Sequence, residues 1–287
     1  MSHPNKLSTD FHRLLKTQDF KNKEELEAFM KSLVGKKIPE FEKEALSFEE
    51  QAEDLVMEAY EMETQQALHH VLAALEMDPD CIQAYEFLAA HQHVPQLALP
   101  YFAYGVELGR RKFKKELKED RGNFWGIFET RPFMRCMAGY AASLHSLRVL
   151  YNRSLDVYQE ILELNEHDNM GVRYQYGLCL LEVNQSDKFK ALDEKFEKEQ
   201  GSIPTFNRLL HSFLTKGDVK ETIDLLNEAK KKNKFVIPTL LAKNEPETIP
   251  GSYSSGNKDE ALYYAHIASS VWNNVEGSME FLKKHRK

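Results

Sequence analysis

The chain has 287 residues, 42% of them hydrophobic and 29% charged, enough apolar material to bury a substantial continuous core. A formal net charge of −7 argues against a general nucleic-acid binder, and no apolar run approaches the roughly 20 residues that span a bilayer. Cys81, Cys136 and Cys179 show no CxxC spacing, which suits buried thiols in a reducing cytoplasm better than a disulfide framework.

Residues 1–47 are expected to form an N-terminal helical cap or arm. Met1–Asp10 is polar and lacks the apolar stretch of a secretory signal, so a cytoplasmic protein is expected. Lys23–Leu33 places Leu26, Phe29, Met30 and Leu33 at helical spacing behind Asn22, a suitable N-cap, and Gly35 ends the run. The segment is expected to cap the body that follows, with a partner-docking arm as the alternative. Ser47-Phe48-Glu49-Glu50 reads as a capping box opening the next helix. Residues 40–63 carry ten acidic side chains and one basic one, a pattern usual for a solvated face.

From there a spacing recurs. Stretches starting near 48, 82, 135, 169 and 203 place small or apolar residues at the same internal offsets. The starts are separated by 34, 53, 34 and 34 residues, so one step carries an insertion of 19. The last stretch is clearest, with Phe206, Leu209, Leu210 and Phe213, the turn Gly217-Asp218, then Thr222, Leu226 and Ala229. The first gives Leu55, Ala67, Val71 and Ala74 with Asp78-Pro79 as terminator; the others give Tyr85, Leu88 and Ala89, then Ala138, Ala141, Ala142, Tyr158 and Ile161, then Tyr176, Cys179 and Leu192. Short side chains at fixed offsets let neighbouring helices approach closely, and stacked hairpins then share a core that none could bury alone. With its period of 34, the pattern resembles the tetratricopeptide-repeat (TPR) family. The fold it implies is all-α: a right-handed TPR-type helical-hairpin solenoid over residues 48–287, with an N-terminal helical cap and a helical insertion between the second and third repeats.

The insertion, about 109–134, begins with the basic run Arg110, Arg111, Lys112, Lys114 and Lys115, then turns through the aromatic segment FWGIFETRPFMR. That segment and Asp168–Tyr174 are similar to bacterial TPR proteins of the suppressor-of-tumorigenicity-seven-like group. Asn123 stands where that pattern more often has His, which weakens a reading as acid–base chemistry. Phe124, Trp125, Phe128 and Phe133 are expected to pack the insertion onto the body. Glu129 is expected to form an ion pair with Arg131 or Arg135 or to hydrogen-bond a loop backbone, and Thr130 to cap the helix that Pro132 opens. Two readings stay open. The insertion is a folded plug held by Arg121, Glu129 and Arg131, or it supplies an anion pocket from Arg121, Arg131, Arg135 and Arg173, with Trp125 and Tyr140 as apolar contacts.

A broken last unit is expected over about 237–287. Its helices would be Val236–Lys243 and one opening at Gly256–Ala261 with Ala265 and Ala268 inside, separated by a Pro/Gly/Ser-rich loop from Glu245 to Ser255 and followed by a polar capping helix, Gly277–Lys287. Lys230–Lys234 reads as a charged helix end beside the C-terminal dipole. The pairs His69-His70 and His91/His93 lack the acid or thiol neighbours of a metal site, His145 reads as a satisfied semi-buried histidine, and His167-Asp168 as a plain turn. No nucleophile elbow, zinc-protease, dinucleotide or Walker signature occurs. The function expected is a non-catalytic scaffold holding a protein or peptide segment in a concave groove, without cofactor, metal, nucleic acid or membrane. The alternatives are a ligand-responsive regulatory receptor and an enzyme with its site at the insertion; oligomeric state is left open.

Overall fold

The computed structural model describes residues 6–148, 150–196, 199–242 and 252–286. Among them every regular element is helical, and no helix is long and apolar enough to cross a membrane. The chain divides into two compact units, an N-terminal one of residues 3–140 and a C-terminal one of 141–287.

The N-terminal unit contains α1 (Lys6–Lys16), α2 (Lys23–Leu33), α3 (Phe48–Ala59), α4 (Thr64–Met77), α5 (Ile82–Ala90), α6 (Pro95–Lys112), the short α7 (Glu116–Glu119) and the larger part of α8 (Arg131–Ser146). Helix α3 pairs with α4 and α5 with α6. The reason is a set of small side chains: Ala52, Val56 and Ala59 of α3 meet Ala67, Val71 and Ala74 of α4, with Cys81, Ala84 and Phe87 from α5 closing the cluster. The capping box at the start of α3 is present, Ser47 Oγ accepting from Glu50 N at 3.2 Å and Ser47 N donating to Glu50 Oε2 at 2.9 Å. Asn22 Oδ1 likewise accepts from Glu25 N at 2.9 Å to start α2.

Within the N-terminal segment expected to cap the body, the helix docked on α3 is not the amphipathic one that the spacing marks. Helix α2 buries no residue, and Met30 is 44% exposed. The docked helix is α1, whose sequence reads as polar. It holds through Arg13, which is 5% exposed and forks onto Asp54 of α3 at 2.8 and 3.0 Å. Helices α6 and α8 cross at contact distance because glycines remove the side chains between them. A Cβ on Gly109 would lie 2.0 Å from the Phe133 ring, one on Gly105 2.6 Å from Cys136 Sγ, and one on Gly139 2.3 Å from the Phe102 ring.

The C-terminal unit takes the end of α8 and then α9 (Tyr151–Leu164), α10 (Val172–Glu182), α11 (Ser186–Lys195), α12 (Ser202–Lys216), α13 (Lys220–Lys232), α14 (Val236–Leu240), α15 (Lys258–Asn274) and α16 (Ser278–Lys284). Helix α10 packs against α9, α11, α12 and α15, and α12 against α13. A buried relay ties three of them: Trp272 Nε1 donates to Tyr264 OH at 3.1 Å, Tyr264 OH to Asn207 Oδ1 at 3.1 Å, and Asn207 Nδ2 to the Tyr174 carbonyl at 3.1 Å. Turn Gly217 adopts φ 74°, a left-handed value that glycine meets without strain. Ala261, Ala265 and Ala268 line the inner face of α15 as the pattern requires. Helix α14 ends at Leu240, short of the expected Lys243, and the loop residues 243–251 lie outside the described residues. The final helix is not wholly polar, since Phe281 and Leu282 are buried.

Candidate functional site

The insertion is shorter than its basic run implies. Gly109–Lys112 forms the last turn of α6, where Arg111 lies 3.6 Å from Asp80 and Lys112 pairs with Glu49. The segment that departs from paired helices is therefore 113–130. Its base is aromatic. Phe113, Phe124 and Phe133 pack with ring centroids 5.9 to 6.2 Å apart, and Phe124 and Phe133 are fully buried. Each buried ring contributes about 2 kcal/mol, enough to make the insertion part of the core. Thr130 does not cap α8. Its hydroxyl donates back into the loop, to the Ile127 carbonyl at 2.8 Å and to that of Phe124.

On this base stands Arg131, the first residue of α8. Its Nε donates to the Trp125 carbonyl at 3.1 Å, and its guanidinium lies 5.4 Å from the Trp125 ring and 5.2 Å from Phe128. The group is half-buried. Burial and the positive charge of Arg135 both push its pKa below the usual arginine value, with no carboxylate opposing them. Two rings and one carbonyl thus hold the cation, and among the described residues no carboxylate pairs with it.

Glu129 does not supply that acceptor. It pairs with α1, lying 3.0 Å from His12 Nε2 and bonding Lys16, while His12 stacks on Phe128 with centroids 4.6 Å apart. Burial alone would raise the Glu129 carboxyl, but His12 and Lys16 outweigh it and hold the group at about 2. A carboxyl so placed is ionised at neutral pH and cannot act there as a general acid.

Arg135, expected as an anion contact, is turned inward at 5% exposure, and its Nε donates to Glu86 on α5 at 2.6 Å. Burial opposes its charge and Glu86 restores it, so the guanidinium stays ionised. Its Nη2 makes no hydrogen bond among the described residues, but the group is buried too deeply to meet a ligand from solvent. Arg121 is exposed on the turn after α7, Trp125 is half-buried under Arg131, and Tyr140 is half-buried on α8.

Arg173 belongs to the C-terminal unit, where acids already hold it. Its Nη1 bonds Asp168 Oδ2 at 2.8 Å, its Nε and Nη2 fork onto Glu199 at 2.8 Å, and Tyr174 OH bonds the same carboxylate. Asp168 is also more than a turn residue. At φ 46° it accepts from Val172 N and Arg173 N at 2.9 Å each and so starts α10. A water-sized cleft of about 30 Å³ opens beside this network, between Tyr174, Phe189, Phe196, Pro204 and Arg208, and Arg208 is paired there with Asp193 at 2.8 Å. His145 is satisfied as expected, 2.6 Å from Glu182.

Three contributors escaped the sequence reading: Phe128 as the second ring on Arg131, and His12 and Lys16 as the partners of Glu129. Helix α1 lies more than a hundred residues before Glu129, so no local spacing could have revealed His12 and Lys16. All three cysteines are buried free thiols. Neither a family model, nor a curated protein, nor a solved structure matches the chain.

Proposed function

We propose that the chain is a binding protein of the TPR kind, acting in the cytoplasm, and that its N-terminal unit, itself non-catalytic, engages a protein or peptide segment through a carboxylate placed on Arg131. The observation that carries the reading is the contrast among arginines. Arg13, Arg135, Arg173 and Arg208 each hold a carboxylate within 2.8 Å, while Arg131 is fixed by two rings and a carbonyl with no acidic partner among the described residues. A guanidinium held in this way meets a carboxylate with little further ordering, and such charge-assisted bonds contribute about 1.5–3 kcal/mol. That alone gives weak affinity, so the rest of the segment has to contribute, and the Trp125 and Phe128 rings offer apolar contact beside the charge. The helix pairs joined through small residues support the TPR reading, and three buried free thiols support a reducing compartment.

The experiment is affinity capture from the cell's own extract with wild type, Arg131→Ala and Arg135→Met side by side. A partner retained by wild type and lost by a folded Arg131→Ala protein supports the reading. Equal capture by wild type and Arg131→Ala refutes it.

A further inference from the structure

A second polar pair lies in the C-terminal unit and has no part in the binding site above. Ser186 is the first residue of α11, and its hydroxyl lies 2.6 Å from His211 Nε2 on α12. The residue whose side chain ordinarily meets a helix's free amides is the N-cap, here Gln185. Here α11 has no side-chain cap, and the hydroxyl reaches across to the imidazole. Phe189, one turn further along α11, packs on that imidazole with centroids 5.0 Å apart and restricts its rotation. Both members of the pair are partly exposed to solvent. Burial, then Lys190 and Lys216, lower the His211 pKa, against Asp193 raising it. The imidazole is therefore neutral at neutral pH, the form that accepts a proton. The first-turn amides of Asp187 and Lys188 lack intrahelical acceptors, as at any helix start, and they belong to the turn that bears the hydroxyl.

We propose that Ser186 and His211 are a nucleophile–base pair that takes an acyl group from small activated esters. A nucleophile within hydrogen-bond reach of a neutral, positioned base is the geometry that such chemistry needs. As Ser186 Oγ bonds the ester carbonyl carbon, its proton passes to His211 Nε2. The bond to the leaving phenol or alcohol then breaks, and that oxygen takes the proton from His211. Water next attacks the acyl-serine carbonyl and gives a proton to His211, which returns it to Ser186 Oγ as the acid departs. The sum is ester plus water giving acid plus alcohol, with no change of oxidation state.

The test is to treat the full chain with p-nitrophenyl acetate and, separately, with a fluorophosphonate probe, and to map the adducts by mass spectrometry. With the fluorophosphonate, Oγ–P forms and fluoride leaves, so the product persists. We expect one dominant adduct on Ser186, absent in Ser186→Ala and formed about 100-fold more slowly in His211→Gln, the size of a general-base contribution. Equal rates in wild type and His211→Gln would overturn the proposal. So would adducts spread evenly over the serines of the wild-type chain, a result that needs no variant to fold.

Discussion

Arg131 Nε donates to the Trp125 carbonyl at 3.1 Å while the Trp125 ring stands 5.4 Å from the same guanidinium. One residue thus fixes both the direction of the arginine and the face it rests on. Replacing the ring and keeping the carbonyl separates the two effects. Trp125→Leu should weaken carboxylate binding about two- to fivefold, the value of a cation–ring contact of about 0.5–1 kcal/mol. Arg131→Lys should do worse, because an ammonium cannot reproduce the planar fork. Isothermal titration with one carboxylate-bearing peptide compares the three proteins.

Glu129 ties α1 to the insertion, and its ionisation should be visible in acid. Its folded pKa is lowered from 4.5 to about 2, so the stability it contributes is fully present above pH 4.5 and is lost as pH falls toward 2. The contribution is about 1–3 kcal/mol, reduced by the partial exposure of the group. Hydrogen exchange in residues 6–16 should accelerate through that window in wild type. In Glu129→Gln it should be fast already at pH 7. Equal protection in the two proteins at pH 7 would show that Arg13 alone holds α1.

Arg135 and Glu86 form a buried pair, each side chain 5% exposed. Removing one partner leaves an uncompensated buried charge, at a cost of about 3–5 kcal/mol. Arg135→Met should therefore lower Tm strongly, and adding Glu86→Leu should recover much of the loss. Arg131→Ala should leave Tm nearly unchanged. Thermal melts of the four proteins separate a structural arginine from a binding one.

Gly109 sits where a Cβ would fall 2.0 Å from the Phe133 ring. Gly109→Ala should cost about 1–3 kcal/mol through overpacking, and Phe133→Leu in the same chain should return part of it. A denaturant midpoint in Gly109→Ala equal to wild type would show that α6 and α8 separate at no cost.

The helix pairs were legible because small or apolar residues recur at fixed offsets, and Ala67, Val71 and Ala74 meet in the core with Leu55 packed against them. Helix α1 was not legible, because it docks by charge, and Arg13 finds Asp54 41 residues away. The arginine-rich stretch could be seen, but not how it divides. Arg135 meets an acid 49 residues earlier on α5, whereas Arg131 bonds the Trp125 carbonyl and rests on the Trp125 and Phe128 rings of its own loop. Glu129 misled for the same reason: its nearest cations in sequence are Arg131 and Arg135, and its partners in space are on α1. Periodicity reports which face is buried, and side-chain pairing across distant elements leaves no periodic trace.

The most direct test of the carboxylate site is the fluorescence of Trp125, titrated with one short peptide prepared with a free and with an amidated C-terminus. Trp272, the second tryptophan, is fully buried and provides a constant background. Arg131 as the anchor predicts a saturable change with the free acid, at least about tenfold weaker for the amide, the value of a charge-assisted bond, and absent in Arg131→Ala. Identical titrations for acid and amide, or an unchanged response in Arg131→Ala, would contradict it.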